Sequence, residues 1–284
     1  MTSLRVIDPG NLTLVQDLGR ASYAAQGVAR SGAADLGSHA LAQRLCGNDD
    51  HAAGLEVLLG GLVLHAIESC VIAVTGANVA VHVAGVPQGR NHAFTVPAGA
   101  EVALSRATIG MRAYVAVRGG FAVPAVLGSR SRDTLGGIGP TPLAVGDLLP
   151  VGHVANAPAW LDVAAVHDPN EHVLVGLVPG PHDDMLDDAG WLALTRTAWR
   201  VDPRSDRIGI RLAGTPLPAP ASDLPSFPVL AGCVQLPGDG MPVILGPDSG
   251  VTGGYPVLGV ISQSGLDALA QARPGALVRL RRAG

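Results

Sequence analysis

Arginine, serine and aspartate fall together twice in this chain. They occur as Arg204, Ser205, Asp206 and Arg207, with Arg211 shortly after, and as Ser129, Arg130, Ser131, Arg132 and Asp133. Arginine presents a planar fork of donors that matches a carboxylate or a phosphate. Alternation through "IGIRL" would put Ile208, Ile210 and Leu212 on one strand face and Gly209 and Arg211 on the other. Arg207 stands at even spacing from Arg211, so a regular strand would place both guanidinium groups on one face, where they could grip one carboxylate. On spacing alone, ion pairs along the rim of a strand barrel are the simpler reading. The stretches "VRGGF" (117–121) and "VTGGYP" (251–256) each join Gly-Gly to an aromatic residue. Gly-Gly permits a left-handed backbone and close approach, whether for a ligand or for a turn that closes a strand. The second stretch supplies Thr252, Gly253, Gly254 and Tyr255 as candidate substrate contacts.

Composition excludes several chemistries. All 19 basic residues are arginine, so a Schiff-base lysine and a phosphate-loop lysine are both ruled out. "VTGGYP" therefore reads as a strand-connecting turn, the apolar run after it being a strand. The net charge of -4 leaves no electrostatic footprint for nucleic acid. The nine histidines form no HxH or HxxxH pair, and "HDD" at 182–184 reads as an acid-rich helix start, so no metal is expected. Cys46, Cys70 and Cys233 are far apart and odd in number, which argues against a zinc knuckle or a disulfide framework. "MTSLRVIDPG" lacks an apolar signal segment, and every long apolar run is broken by Gly, Pro or a polar residue. The expectation is a cytoplasmic protein that engages neither membrane nor nucleic acid.

These side chains need a scaffold, and the pattern around them is short strands. "LRVIDPG", "LTLVQDLG", "LEVLLGG", "CVIAVTG", "NVAVHVAG" and "MRAYVAVRGG" are short apolar runs with turn punctuation, alternation being clear in the last two, and short strands return at "HVLVGLVPG", "IGIRLAG", "PVILG" and "ALVRLRR". The fold class is mainly β, with barrels or sandwiches and few helices. The best helix covers residues 36–46, and a second is expected from the acidic run near Asp183. Residues 124–152 read as a long Gly/Pro-rich loop. The weakly patterned stretch 153–171 is the expected domain boundary, dividing the chain into 1–165 and 166–284.

The motifs "IDPGNLTLVQDLGR", "GVARSGAAD", "LEVLLGGLVL", "VLGSRSRDTLGGIG", "RSDRIGIRL", "GCVQLPGDGMPVIL" and "VTGGYPVLGVIS" span nearly the whole chain in this order. They resemble the allophanate hydrolase subunit 2 family. That family includes the C-type subunit of the prokaryotic 5-oxoprolinase, the antagonist of a sporulation kinase inhibitor, and part of the biotin-dependent carboxyltransferase of urea carboxylase. The resemblance implies two cyclophilin-like β-barrel domains. It also implies partners, a subunit 1 or B-type homologue and a lactam-utilisation protein of the A type, in a complex that uses ATP to open 5-oxoproline to L-glutamate. The isolated chain is then expected to be inactive, and its partner surface extensive and partly apolar. By the same resemblance Asp206 and Arg207 are the catalytic candidates, and Arg204, Ser205 and Arg211 join Thr252 to Tyr255 as substrate-binding candidates. Asp206 stands where the urea-handling relatives carry asparagine, and aspartate cannot donate as an amide can, which points away from urea. The alternatives are a carboxyltransferase working with a separate biotin carboxylase, no biotin being attached to this chain, and a regulatory protein that sequesters a kinase inhibitor.

Overall fold

The computed structural model describes residues 3–153, 163–166, 168–218 and 224–282. Most of the expected boundary, at 154–162 and 167, lies outside them. The chain forms two compact units. The first takes Met1–Arg20, Asp35–Asp133 and Gly137–Pro169, and the second takes Ala21–Ala34, Thr134–Gly136 and Asn170–Gly284. Two stretches from earlier in the chain thus belong to the later unit.

The first unit is a pair of antiparallel sheets. One runs Leu148–Pro150, Ser3–Pro9, Leu62–Ala66, Glu101–Leu104, Val81–Val83, Val86–Gln88. The other runs Leu12–Gln16, Gly54–Leu58, Ile109–Val117, Cys70–Asn78, Ala93–Val96. Alternation sends Leu4, Val6, Leu62 and Leu64 from the first sheet, and Val15, Leu55, Val57 and Val115 from the second, into one core. With few aromatic residues, this core is filled by branched aliphatic side chains. His82 and His92, which alternation places on exposed faces, are half-buried; His92 meets Phe94 edge-on at 5.7 Å.

Helix α1, Leu36–Leu45, matches the expected position. Its Asp35 cap accepts from Ser38 N–H at 2.8 Å, as an N-cap aspartate should. The helix packs on the strands Ile109–Val117 and Cys70–Asn78. A buried polar chain fixes it there: Asp35 N–H donates to the Tyr114 hydroxyl at 2.8 Å, and that hydroxyl donates to Glu56 Oε2 at 2.8 Å. Arg112 Nε lies 3.4 Å from the other Glu56 oxygen. In "VRGGF", Gly119 has φ 96°. A Cβ there would lie 2.3 Å from the Gly152 carbonyl oxygen, so this glycine pair is a structural close approach.

The second unit is a closed seven-stranded barrel. Its order is His172–Pro179, Val257–Ile261, Cys233–Gln235, Val243–Leu245, Gly209–Ala213, Trp199–Val201, Leu277–Arg282. Parallel pairing of the last strand with the first closes it, from His172 opposite Leu277 to Leu177 opposite Arg282. Val175, Leu177, Trp199, Leu212, Ile244 and Val278 form its core. Helix α2, Asp188–Arg196, adds Trp191 and Leu194, and helix α3, Gln263–Ala270, adds Leu269. The expected helix near Asp183 is there only a short 3-10 turn, Asp183–Met185; α2 starts later, where Asp187 caps the Gly190 N–H at 2.7 Å. Among the described residues no helix is long and apolar enough to cross a membrane.

The three cysteines are free and buried. Burial pushes the Cys46 thiol up to about 12 and the Cys70 thiol up to about 11. A thiol so raised supplies almost no thiolate at neutral pH. Iodoacetamide at pH 7.5 should therefore leave Cys46 and Cys70 unlabelled in the native protein and label both in denaturant. Rapid native labelling, read by intact mass, would show that the α1 region opens readily.

Candidate functional site

The stretch "RSDRIGIRL" begins as a turn and becomes a strand only at Gly209. Asp202 opens the turn. Its carboxylate accepts from the Arg204 backbone at 2.8 Å and from Nε and Nη2 of the same residue at 2.9 Å each. Those contacts, the Arg204 side chain first, hold the Asp202 carboxyl down at about 2. Arg204 is solvent-exposed and Asp202 half-buried, so water screens the pair from one side and it contributes little to stability. Ser205 Oγ accepts from Arg211 N–H at 3.0 Å. Asp206 turns back on its own backbone, Oδ1 accepting from Ile208 N–H at 2.8 Å and Gly209 N–H at 3.0 Å.

Arg207 goes inward. It is 6% exposed, and Asp248 is fully buried. Arg207 Nε donates to Asp248 Oδ2 at 2.7 Å, and Nη2 donates to Oδ1 at 3.0 Å and to the Gly32 carbonyl at 2.6 Å. This is the bidentate fork that arginine makes best. Asp248 also accepts from the hydroxyls of Ser31 at 2.5 Å and Thr134 at 2.7 Å, and from Thr134 N–H at 3.0 Å. Burial alone would raise the Asp248 carboxyl; the Arg207 charge and these donors hold it below the usual carboxylate range. The ion pair thus fastens the two earlier stretches, through Ser31, Gly32 and Thr134, to the barrel's own loops. Gly246 makes the approach possible, since a Cβ there would lie 2.2 Å from the Arg207 carbonyl oxygen.

The paired-arginine expectation is corrected on this point. Even spacing implies a shared face only if a strand runs through both residues. Arg207 precedes the strand and is occupied by Asp248, whereas Arg211 is exposed on it. The two guanidinium groups do not form one carboxylate clamp.

Thr252–Gly253 forms a two-residue strand against Phe227–Pro228, with Gly253 opposite Phe227. The Phe227 ring lies 4.8 Å from that of His182, whose Nδ1 accepts from Val257 N–H at 3.3 Å. Tyr255 is 51% exposed, and Thr252 and Gly254 are exposed as well. The strand Val257–Ile261 intervenes before α3 starts, so no helix N-terminus opens onto the loop and it is not built as a phosphate cradle. Among the described residues no group of three or more His, Cys, Asp or Glu could hold a metal ion.

The other arginine-serine stretch lies in the first unit and surrounds a different acid. Asp17 accepts from the Ser129 hydroxyl at 2.7 Å, the Ser131 hydroxyl, Arg130 N–H at 2.6 Å and Gly19 N–H at 2.8 Å. Burial raises its carboxyl, and these donors outweigh burial and lower it. Arg130 and Arg132 donate to backbone carbonyls instead, at Val123 and Gly137. Asp17 and Asp248 are the site acids that spacing arguments pass over. Each lies more than a hundred residues from a hydroxyl that it accepts from.

A family model for the carboxyltransferase domain, subdomain A and B, matches residues 26–282. The chain belongs to this carboxyltransferase family. Within it, the chain is 34% identical to the C-type subunit of 5-oxoprolinase from Escherichia coli over 272 residues, covering 94% of this chain and 87% of the relative. It is 30% identical to the corresponding 5-oxoprolinase C-type subunit of Haemophilus influenzae, covering 96% and 89%. Urea amidolyase of Lachancea kluyveri is 30% identical over 96% of this chain but only 16% of its own length. Among solved structures, TTHA0988 matches with TM-score 0.90 at 34% identity over 99% of this chain, and Kluyveromyces lactis urea carboxylase with TM-score 0.91 at 28% identity, also over 99%. The carboxyltransferase-family chain spans only 55% and 27% of those two solved chains.

Proposed function

We propose that this carboxyltransferase-family chain is the C-type subunit of a 5-oxoprolinase complex. The complex opens 5-oxoproline to L-glutamate with hydrolysis of ATP, and the chain works with a subunit 1 or B-type homologue and a lactam-utilisation protein of the A type. The observation that carries the reading is the two-way coverage of the Escherichia coli C-type subunit, 94% of one chain against 87% of the other. With urea amidolyase, by contrast, the match is to 16% of a much longer protein. The chain supplies neither lysine nor a phosphate-cradling loop, so ATP handling is assigned to the assembled complex and the isolated chain is inactive.

On this reading the exposed Arg204, Asp206, Arg211, Thr252, Gly254 and Tyr255, with the half-buried Ser205 and Gly253, remain available to substrate. Arg207, already neutralised by Asp248, acts as a positioning residue that holds the loop bearing Asp206. Deleting the gene for this chain in its own host should abolish growth on 5-oxoproline as sole nitrogen source, and a plasmid copy should restore it. Growth retained on 5-oxoproline but lost on urea would favour the carboxyltransferase alternative.

A further inference from the structure

The outer face of the barrel carries a charged and apolar stripe with no assigned role. Alternation fixes its membership. Val278 and Leu280 enter the core, so Arg279 and Arg281 face outward. Val173, Val175 and Leu177 enter it, so Leu174, Gly176 and Val178 face outward. Trp199 and Val201 enter it, so Arg200 faces outward. Register sets Leu174 beside Arg279, Gly176 beside Arg281, and Arg200 beside Leu277. Leu174 is 62% and Val178 54% exposed, and a Cβ added to Gly176 would meet nothing within 4 Å.

Arg200, Arg279 and Arg281 are exposed and make no ion pair among the described residues. Their neighbour Arg282 differs, being held 3.2 Å from Asp183 and 4.3 Å over the Trp191 ring. Three such cations beside an apolar strip form a basic patch on a chain of net charge -4. Nucleic acid is the poorer fit, because the apolar strip offers it nothing and the chain as a whole is acidic. A closed barrel has no free edge, so an added strand is excluded and a visitor must dock on side chains. Arginine beside apolar side chains is also the composition enriched at protein interfaces.

We propose that the face formed by Leu174, Gly176 and Val178 with Arg200, Arg279 and Arg281 docks an acidic, partly apolar surface of the B-type subunit. The identity of the occupant rests on the 5-oxoprolinase reading; the chemistry required of it follows from charge complementarity.

The test is titration calorimetry of the purified full chain with the B-type subunit from the same genome. Wild type should bind, more weakly as sodium chloride is raised. The double reversal Arg279→Glu with Arg281→Glu should weaken Kd at least ~100-fold, and Leu174→Asp about 10-fold. These positions are exposed, so melting temperature should hold, and a melt run on each sample checks this. Undiminished binding by the reversed variant would overturn the surface alone. Failure of wild type to bind would overturn the 5-oxoprolinase reading, and this occupant with it. Self-association that the reversal abolishes, without binding to the B-type subunit, would assign the face to a second copy instead.

Discussion

Arg207→Ala should destabilise the barrel unit by about 3–5 kcal/mol, because it leaves the Asp248 carboxylate buried with its partner gone. Against a typical domain stability of about 5–15 kcal/mol, that is a large fraction. Arg211→Ala removes an exposed side chain and should change stability by no more than about 0.5 kcal/mol. Spacing suggests equivalent roles for the two arginines, with little change in melting for either; the ion pair separates them. In the assembled complex, activity of Arg207→Ala should fall in step with the folded fraction, whereas any loss in Arg211→Ala should appear in a fully folded protein. Replacing both buried partners, as Arg207→Met with Asp248→Leu, should be less damaging than removing Arg207 alone. Acid should imitate the single substitution. The Asp248 carboxyl is lowered in the folded state, so its contribution is present above the ordinary carboxylate range, about pH 4. It is lost as pH falls below that range. Asp17, lowered in the same direction, adds to the same acid limb. Urea titrations of wild type, Arg207→Ala and Arg211→Ala at about pH 7 and about pH 3.5, either side of that range, read all of this together. An Arg207→Ala protein that melts like wild type yet is inactive would place Arg207 on substrate instead.

Strand content was legible because alternation survives in single runs. Val81 and Val83 bury on either side of half-buried His82, and Val173, Val175 and Leu177 do the same along the barrel's first strand. Helix α1 was legible from its apolar spacing, and α3 was missed. Its eight residues include Gly265 and Ala268, which dilute the period, and its one clear signal is the Ser262 cap. The acidic run misled by a few residues, because the aspartate that caps α2 is Asp187 rather than one at 182–184. The assignment of Ala21–Ala34 to the second unit left no trace in the sequence. That stretch is rich in small residues with no periodicity, and what holds it is the contact of Ser31 and Gly32 with a pair 175 to 217 positions away. Candidate residues could therefore be named from the arginine-serine-aspartate pattern. Which of them is buried, and by whom it is neutralised, depends on long-range contacts that local pattern does not encode.

The largest expected effect belongs to the chain as a whole. A C-type subunit whose own sequence holds no lysine and no phosphate loop should show no 5-oxoproline-dependent ATP hydrolysis alone. If it is indispensable to the site, the A-type and B-type proteins should be equally silent without it. The direct measurement is reconstitution of the three purified components with 5-oxoproline and ATP, following phosphate release and L-glutamate in one sample. The expected result is one glutamate per ATP hydrolysed from the three together and background from every pair. Glutamate formed at full rate by the other two components, or none from all three while added biotin carboxylase elicits carboxylation of urea, would contradict the assignment.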